Sequence, residues 1–282
     1  MMTPRAAGRA EVPGLDPRTE EFYRRAMRTL TQERIPFLVG GAYAFARYTG
    51  IVRHTKDFDV FILPADVDRA LRALDAQGCH TELWSEVWLA KAFAGDDPET
   101  FVDLIFSSGN GLTTVDHDWF AHAVPETVLG MPVRLIPAEE MIWSKAFVQE
   151  RERYDGADVA HTLRARGAAI DWPRLIARFG EHWRVLYSYL VLFGFTYPHD
   201  RDVIPPAVLR ELSARLLMSE AATPPAQKVC YGTLLSNQQY LPDVECWGYH
   251  DGRIVGGSMS AAEVRRLTDE LKRNNPTLTA RE

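Results

Sequence analysis

The chain has 282 residues, 46% of them hydrophobic, enough for one large domain or two modest ones. Its net charge of −6 and pI near 5.8 argue against wholesale binding of nucleic acid through a basic surface. Cys79, Cys230 and Cys246 are too widely spaced for a zinc motif and read as free buried thiols of a reducing compartment.

The opening MMTPRAAGRAEVPGLDP has no apolar core of secretory length and predicts a disordered tail over residues 1–17. Phe22, Tyr23, Met27 and Leu30 recur at helical spacing, so a helix runs from Thr19 to Arg34. Pro36 ends it, Phe37-Leu38-Val39 is a short strand, and Gly40-Gly41 turns the chain into a helix from Ala42 to Tyr48. KDFDVFIL is a strand. Pro64 and Asp66 open a helix to Ala76, stopped by Gly78. Residues 81–94 supply one or two strands, FVDLIF from Phe101 supplies another, and residues 124–136 form a hairpin around Gly130.

From Pro137 the pattern becomes helical, with helices expected at 138–150, 155–166, 172–195, 205–218 and 260–274. The last opens with Ser260 and Glu263 in capping-box spacing. The most apolar stretch, Val185 to Phe195, is shorter than the roughly 20 residues a bilayer demands and predicts a buried helix. The expectation is therefore a soluble cytoplasmic protein without a membrane partner. Its domains are an α/β domain at 18–136 and an α-helical domain at 137–282.

In KDFDVFIL, Asp57 and Asp59 project from one face, with Phe58, Val60 and Ile62 on the other. Aspartate is disfavoured in strands, and two carboxylates side by side repel unless a cation lies between them. A hard divalent ion, magnesium foremost, is the usual solution. The bland alternative puts both at an exposed strand end. In FVDLIF a single carboxylate, Asp103, interrupts an apolar run, which is costly unless the charge is paired or metal-bound. If that strand lies beside KDFDVFIL, Asp103 completes a three-carboxylate site; otherwise it pairs with a nearby Arg or Lys. Gly40-Gly41 lets backbone approach a ligand, and the helix that follows offers N–H groups to phosphate. On that reading a methyl group on Gly41 obstructs a nucleotide at little cost to the fold.

Together these features resemble the nucleotidyltransferase superfamily that includes DNA polymerase β. The string GGAYAF…RHTKDFDVF is similar to the bacterial branch with AbiEii-type toxins and small aminoglycoside and lincosamide nucleotidyltransferases, in which Arg53, Thr55, Asp57 and Asp59 fit an Arg-X-Thr-X-Asp-X-Asp arrangement. The resemblance implies a polymerase β-like α/β mixed sheet with flanking helices, a C-terminal α-helical domain behind it, and an active site in the cleft between them. It implies transfer of a nucleoside monophosphate from a triphosphate, ATP first among them, with two magnesium ions (Mg2+) held by Asp57, Asp59 and Asp103. Gly40, Gly41, Thr55 and Lys145 would contact the nucleotide. Lys145 reads equally well as a snorkelling lysine, and Asp155 and Asp158 as caps of the helix after it.

Three functions fit this pattern: modification of a small hydroxylated molecule such as an antibiotic, a toxin-like enzyme acting on tRNA or protein with an antitoxin partner, and a catalytically silent nucleotide-binding module. The intact acids speak against the last. Tyr231, Tyr240, Trp247 and Tyr249 read as packing between helical layers.

Overall fold

The computed structural model describes residues 15–274 apart from His54, Lys56 and Asp96. Residues 1–14 of the expected tail, and Lys56 of the expected strand, lie outside the described residues. The chain divides into two compact units, Met1–Ser108 with Thr114–Met141, and Gly109–Thr113 with Ile142–Glu282.

In the first unit α1 (Pro17–Gln32) starts on Asp16, whose carboxylate accepts from Arg18 N and Thr19 N at 2.9 and 3.1 Å. Its apolar stripe, Phe22, Tyr23, Ala26, Met27 and Leu30, is buried. There follow β1 (Phe37–Val39), α2 (Gly41–Thr49), β2 (Asp57–Ile62) and α3 (Val67–Asp75). Next come β3 (His80–Ser85), β4 (Leu89–Ala94), β5 (Asp97–Ile105), α4 (His117–Ala121), β6 (Val124–Val128) and β7 (Met131–Leu135), and α5 (Ala138–Ala146) begins in this unit and ends in the second.

Among the described residues seven strands form one mixed sheet in the order β3-β4-β5-β2-β1-β7-β6. β2 runs parallel to β5 and antiparallel to β1, so the strand bearing the Asp pair lies near the middle. The expected hairpin is β6–β7, closed by Leu129 (φ 49°) and Gly130 (φ 72°). Two consecutive left-handed residues give the twist that a tight hairpin needs. The expected α/β sheet with flanking helices followed by a helical region is what the chain forms.

The second unit holds α6 (Gly156–Arg166), α7 (Trp172–Phe179), α8 (Trp183–Thr196), α9 (Pro206–Ala221), α10 (Leu241–Glu245), α11 (Gly252–Val255) and α12 (Ala261–Asn274). A two-stranded piece, β8 (Val229–Cys230) with β9 (His250–Asp251), joins them. The single helix expected at 172–195 is broken, because Gly180 takes φ 47° and ends α7. α8 is not the buried helix its composition suggests. Leu186, Tyr189, Leu190 and Phe193 are buried, whereas Val191 and Leu192 are exposed and Phe195 is 84% exposed. Among the described residues no helix is long and apolar enough to cross a membrane.

Cys79 and Cys230 are the buried thiols expected, but Cys246 is exposed. Of the aromatics expected to pack in the C-terminal stretch, Tyr240 is half-buried with its ring against Gly232, whereas Trp247 is 65% exposed and Tyr231 and Tyr249 are exposed too. Polar groups organise that stretch instead. Arg253, 2% exposed, grips Asp251 through Nε (3.0 Å) and Nη2 (2.6 Å), and Thr233 Oγ1 donates to the same carboxylate at 3.0 Å. Glu150 accepts from Ser236 Oγ and from Asn237 N. Charged hydrogen bonds of this kind fix the geometry of loops, here beside the buried Leu234 and Leu241.

Candidate active site

Strand register brings the carboxylates together. Asp59 pairs with Asp103 across the parallel β2–β5 ladder, and Asp57 pairs with Phe101 two residues earlier. Partners in register share a face of the sheet, and neighbouring strands lie about 4.8 Å apart. Asp57, Asp59 and Asp103 therefore stand on one face, while Phe58, Val60 and Val102 alternate to the other side and are fully buried. The apolar alternation within DFDVFI and FVDLI forces this, because a slip by one residue would bury the acids and expose the phenylalanine and valines.

β4 adds a third member to the row. Lys91 stands opposite Asp103 in the antiparallel β4–β5 ladder, and its Nζ lies 2.7 Å from Asp103 Oδ1. Lys91 is 7% exposed, with its ammonium 3.7 Å from the Phe101 ring centroid and 4.6 Å from that of Trp84. Nothing in the spacing of the acids along the chain points to Lys91. Its signal is a lone cation inside the apolar run LAKAFA, the counterpart of the lone acid in FVDLIF. Of the two alternatives for Asp103, both have substance: it faces the Asp pair and it is paired with a lysine.

Burial pushes the Asp103 carboxyl above its ordinary range; Lys91 opposes the shift and the Asp57 charge adds to it. The Tyr23 phenol, buried and stacked on Phe58 at 4.8 Å, is raised by burial and then by the charges of Asp57, Asp103 and Asp59. A tyrosine from α1 thus senses the field of all three acids.

The Gly40-Gly41 turn is built against β2. Gly40 N donates to Asp59 O at 3.0 Å. A Cβ on Gly40 would overlap the Phe61 ring. Gly41 takes φ 52°, and a Cβ there would overlap the Asp59 carboxylate itself. The expectation that a methyl on Gly41 costs the fold little is thereby overturned: the glycine makes room for Asp59. Thr55 Oγ1 accepts from Asp57 N at 3.2 Å at the entry to β2. Arg53 sits over the Phe45 ring at 4.6 Å.

In the second unit Lys145 Nζ lies 2.9 Å from Asp155 Oδ2 and 2.9 Å from Asp158 Oδ2. Asp155 occupies the N-cap position of α6 but makes no side-chain capping bond. The capping role expected for these acids gives way because a partly buried ammonium is the stronger partner for their carboxylates. Burial opposes ionisation of Asp155, yet Lys145 and Arg153 outweigh it and hold its carboxyl below the ordinary range.

A metal can be tested against these donors. Carboxylate oxygens suit magnesium, which is usually held by one or two carboxylates plus substrate phosphates rather than by an all-protein cage. Asp57 and Asp59 supply such a pair. Among the described residues no group of three or more His, Cys, Asp or Glu side chains is arranged to hold a metal ion.

No protein family and no curated protein matches the sequence. Among solved structures, the antibiotic-resistance factor ANT(2'')-Ia is similar at 14% identity and a TM-score of 0.37, covering 73% of this chain and 97% of that one. The lincomycin-bound lincosamide antibiotic adenylyltransferase LnuA is similar at 12% identity and TM-score 0.37, covering 51% and 95%. An antigenic nucleotidyltransferase-like protein from Paracoccidioides brasiliensis follows at 13% identity and TM-score 0.35, covering 61% and 90%. The structural neighbours are nucleotidyltransferases. TM-scores of this size describe a distant likeness of backbone.

Proposed function

We propose that this chain transfers a nucleoside monophosphate from a nucleoside triphosphate, ATP first among them, to a hydroxyl group of a small molecule. The observation that carries the reading is the alignment of Asp59 with Asp103 across β2 and β5, with Asp57 on the same face and the Gly40-Gly41 turn packed against Asp59. Three acids on otherwise apolar strands are expensive to place unless charge chemistry uses them.

Asp57 and Asp59 would hold magnesium, which when bound supplies neutralising charge for the triphosphate and for the departing pyrophosphate. Asp103 accepts the proton of the acceptor hydroxyl. As that oxygen bonds to the α-phosphorus, the bond from the α-phosphorus to the bridging oxygen breaks and its electron pair leaves with pyrophosphate. The raised Asp103 carboxyl is the more basic for its burial, as a proton acceptor needs. The N–H groups opening α2 after Gly40 contribute phosphate contacts. Thr55 shapes the entry to β2, and Lys145 is a further candidate for phosphate contact.

The experiment is incubation of the protein with each α-labelled NTP and Mg2+ against fractionated lysate. Label in the small-molecule fraction supports the proposal. Label in tRNA or protein would move the acceptor to the toxin-like alternative, and no transfer with any NTP would overturn nucleotidyl transfer.

A further inference from the structure

We infer that Trp84 is a specificity-determining residue: the face of the sheet that carries the acids continues over β4 and β3 as a shelf, on which a ring of the acceptor stacks against Trp84. The inference rests on the proposed function and deepens it, naming the acceptor as a hydroxylated small molecule that also carries a ring.

Two rows of the sheet make the shelf. One runs Glu82, Lys91, Asp103 and Asp59 across β3, β4, β5 and β2, and the next runs His80, Phe93, Phe101 and Asp57. Residues in one row share a face, and so do rows two residues apart. Toward β3 the acid face therefore passes into aromatic rings. The Phe93 and Phe101 centroids lie 5.7 Å apart, and the Lys91 ammonium bridges the Phe101 ring to that of Trp84.

Trp84 is both held and open. β3 is an edge strand, and its register with β4 shifts between Leu83 and Ser85, at Trp84 itself. A bulge of this kind re-aims the side chain it carries. The indole is pinned at Nε1, which donates to Glu82 Oε2 at 2.8 Å, while Glu82 Oε1 lies 2.8 Å from His80 Nε2. The Lys91 ammonium, 4.6 Å from the ring centroid, sets its tilt. Even so, Trp84 is 57% exposed. A large aromatic surface that is already ordered loses little freedom when a ligand stacks on it.

Position names the occupant. β3 and β5 are two strand spacings apart, about 10 Å. A hydroxyl that gives its proton to Asp103 and a ring that rests on Trp84 fit within one small molecule of that reach, lying over Lys91 and Phe101. The Gly40-Gly41 turn, with its N–H groups for phosphate, packs against β2, on the other side of β5 from β3. Triphosphate and acceptor ring are thus directed to opposite sides of Asp103.

The test is calorimetric binding of two probes to the full chain, p-nitrophenyl β-D-glucopyranoside and methyl β-D-glucopyranoside, which share their hydroxyl groups and differ in the aromatic ring. The unaltered protein is expected to bind the aryl glycoside at least about fivefold more tightly, as one stacked ring contributes. Trp84→Ala should abolish that preference. Trp84→Phe should keep most of it, because a ring remains although the bond to Glu82 is lost. Binding of α,β-methylene-ATP with Mg2+ is measured alongside.

Equal affinity of the unaltered protein for the two glycosides would overturn the inference, as would an aryl preference that survives in Trp84→Ala or vanishes in Trp84→Phe. So would a loss of nucleotide affinity in Trp84→Ala as large as the loss for the aryl glycoside, which would give the ring on Trp84 to the base of the nucleotide. Label transfer from an NTP to the small-molecule fraction that persists through any of these leaves the functional reading standing. Failure of transfer with every NTP while the aryl preference holds overturns the functional reading and not the stacking surface.

Discussion

Gly41 leaves the space that the Asp59 carboxylate fills. Its φ of 52° is left-handed, and a Cβ on it would meet Asp59 Oδ2, Cγ and Cβ. The glycine therefore serves the acid before it serves any phosphate. Gly41→Ala is expected to cost about 1–3 kcal/mol, from the backbone strain and from the carboxylate that must move. Because the displaced group is a candidate metal ligand, Mn2+ affinity should fall in the same variant. Urea unfolding and Mn2+ titration check the two halves, and an unshifted unfolding midpoint would sink the first.

Asp57→Asn and Asp59→Asn should behave in the opposite way toward stability. Each removes one of two repelling carboxylates on the same face of β2, so unfolding in EDTA should occur at the same midpoint or a higher one. Nucleotide transfer should drop by more than the roughly 10–100-fold that follows loss of a group behind a metal ligand. A clear fall in melting temperature for both variants in EDTA would point to a purely structural role for the pair.

Much of this site is legible in the sequence because its signals are local. Two acids two residues apart in KDFDVFIL, and one acid inside FVDLIF, state which face each strand buries. Their adjacency is one step further, supplied by the apolar pattern that both strands share. Lys91 is harder to read, since its partner is fixed by the β4–β5 register and not by any spacing along the chain. The role of Gly41 is hidden for the same reason: the atom it avoids belongs to another element. In the second unit, a single glycine, Gly180, divides what periodicity reads as one helix. The exposed Tyr231 and Trp247 show the limit of composition, which counts aromatics as core while Arg253 and Asp251 do the organising.

Arg253→Met tests that organisation. The pair is buried, 2% and 4% exposed at the side chains, so removing one partner leaves Asp251 charged and unpaired. The expected loss is about 3–5 kcal/mol, read from chemical unfolding. A loss within the range of an exposed ion pair, about 0–1 kcal/mol, would show that the segment is held by something else.

At α12 the sequence pattern translates directly into bonds. Glu263 N donates to Ser260 Oγ at 3.2 Å and Ser260 N donates to Glu263 Oε2 at 2.6 Å, a reciprocal capping box. Ser260→Ala should cost about 0.5–2 kcal/mol of local stability. Amide exchange in the first turn of α12 is the measurement, and unchanged protection there would contradict the cap.

Lys145 couples stability to pH. Its ammonium is shared by Asp155 and Asp158, both largely buried, so Lys145→Met leaves two carboxylates without their cation. The expected cost near neutral pH is about 3 kcal/mol, the lower end for breaking a buried pair because the lysine keeps some exposure. The folded carboxyl of Asp155 lies below its ordinary value, with Lys145 the leading charge that lowers it. Its contribution is therefore complete above the unfolded pKa of about 3.9 and disappears as pH falls through the lower folded value. The gap between the unaltered protein and Lys145→Met should accordingly be full near pH 7, shrink as pH falls through the carboxylate range and close below about pH 4. Unfolding free energies measured across that range decide the matter. A gap that persists undiminished in acid would mean that the Lys145 stem, through packing alone, supplies the stability.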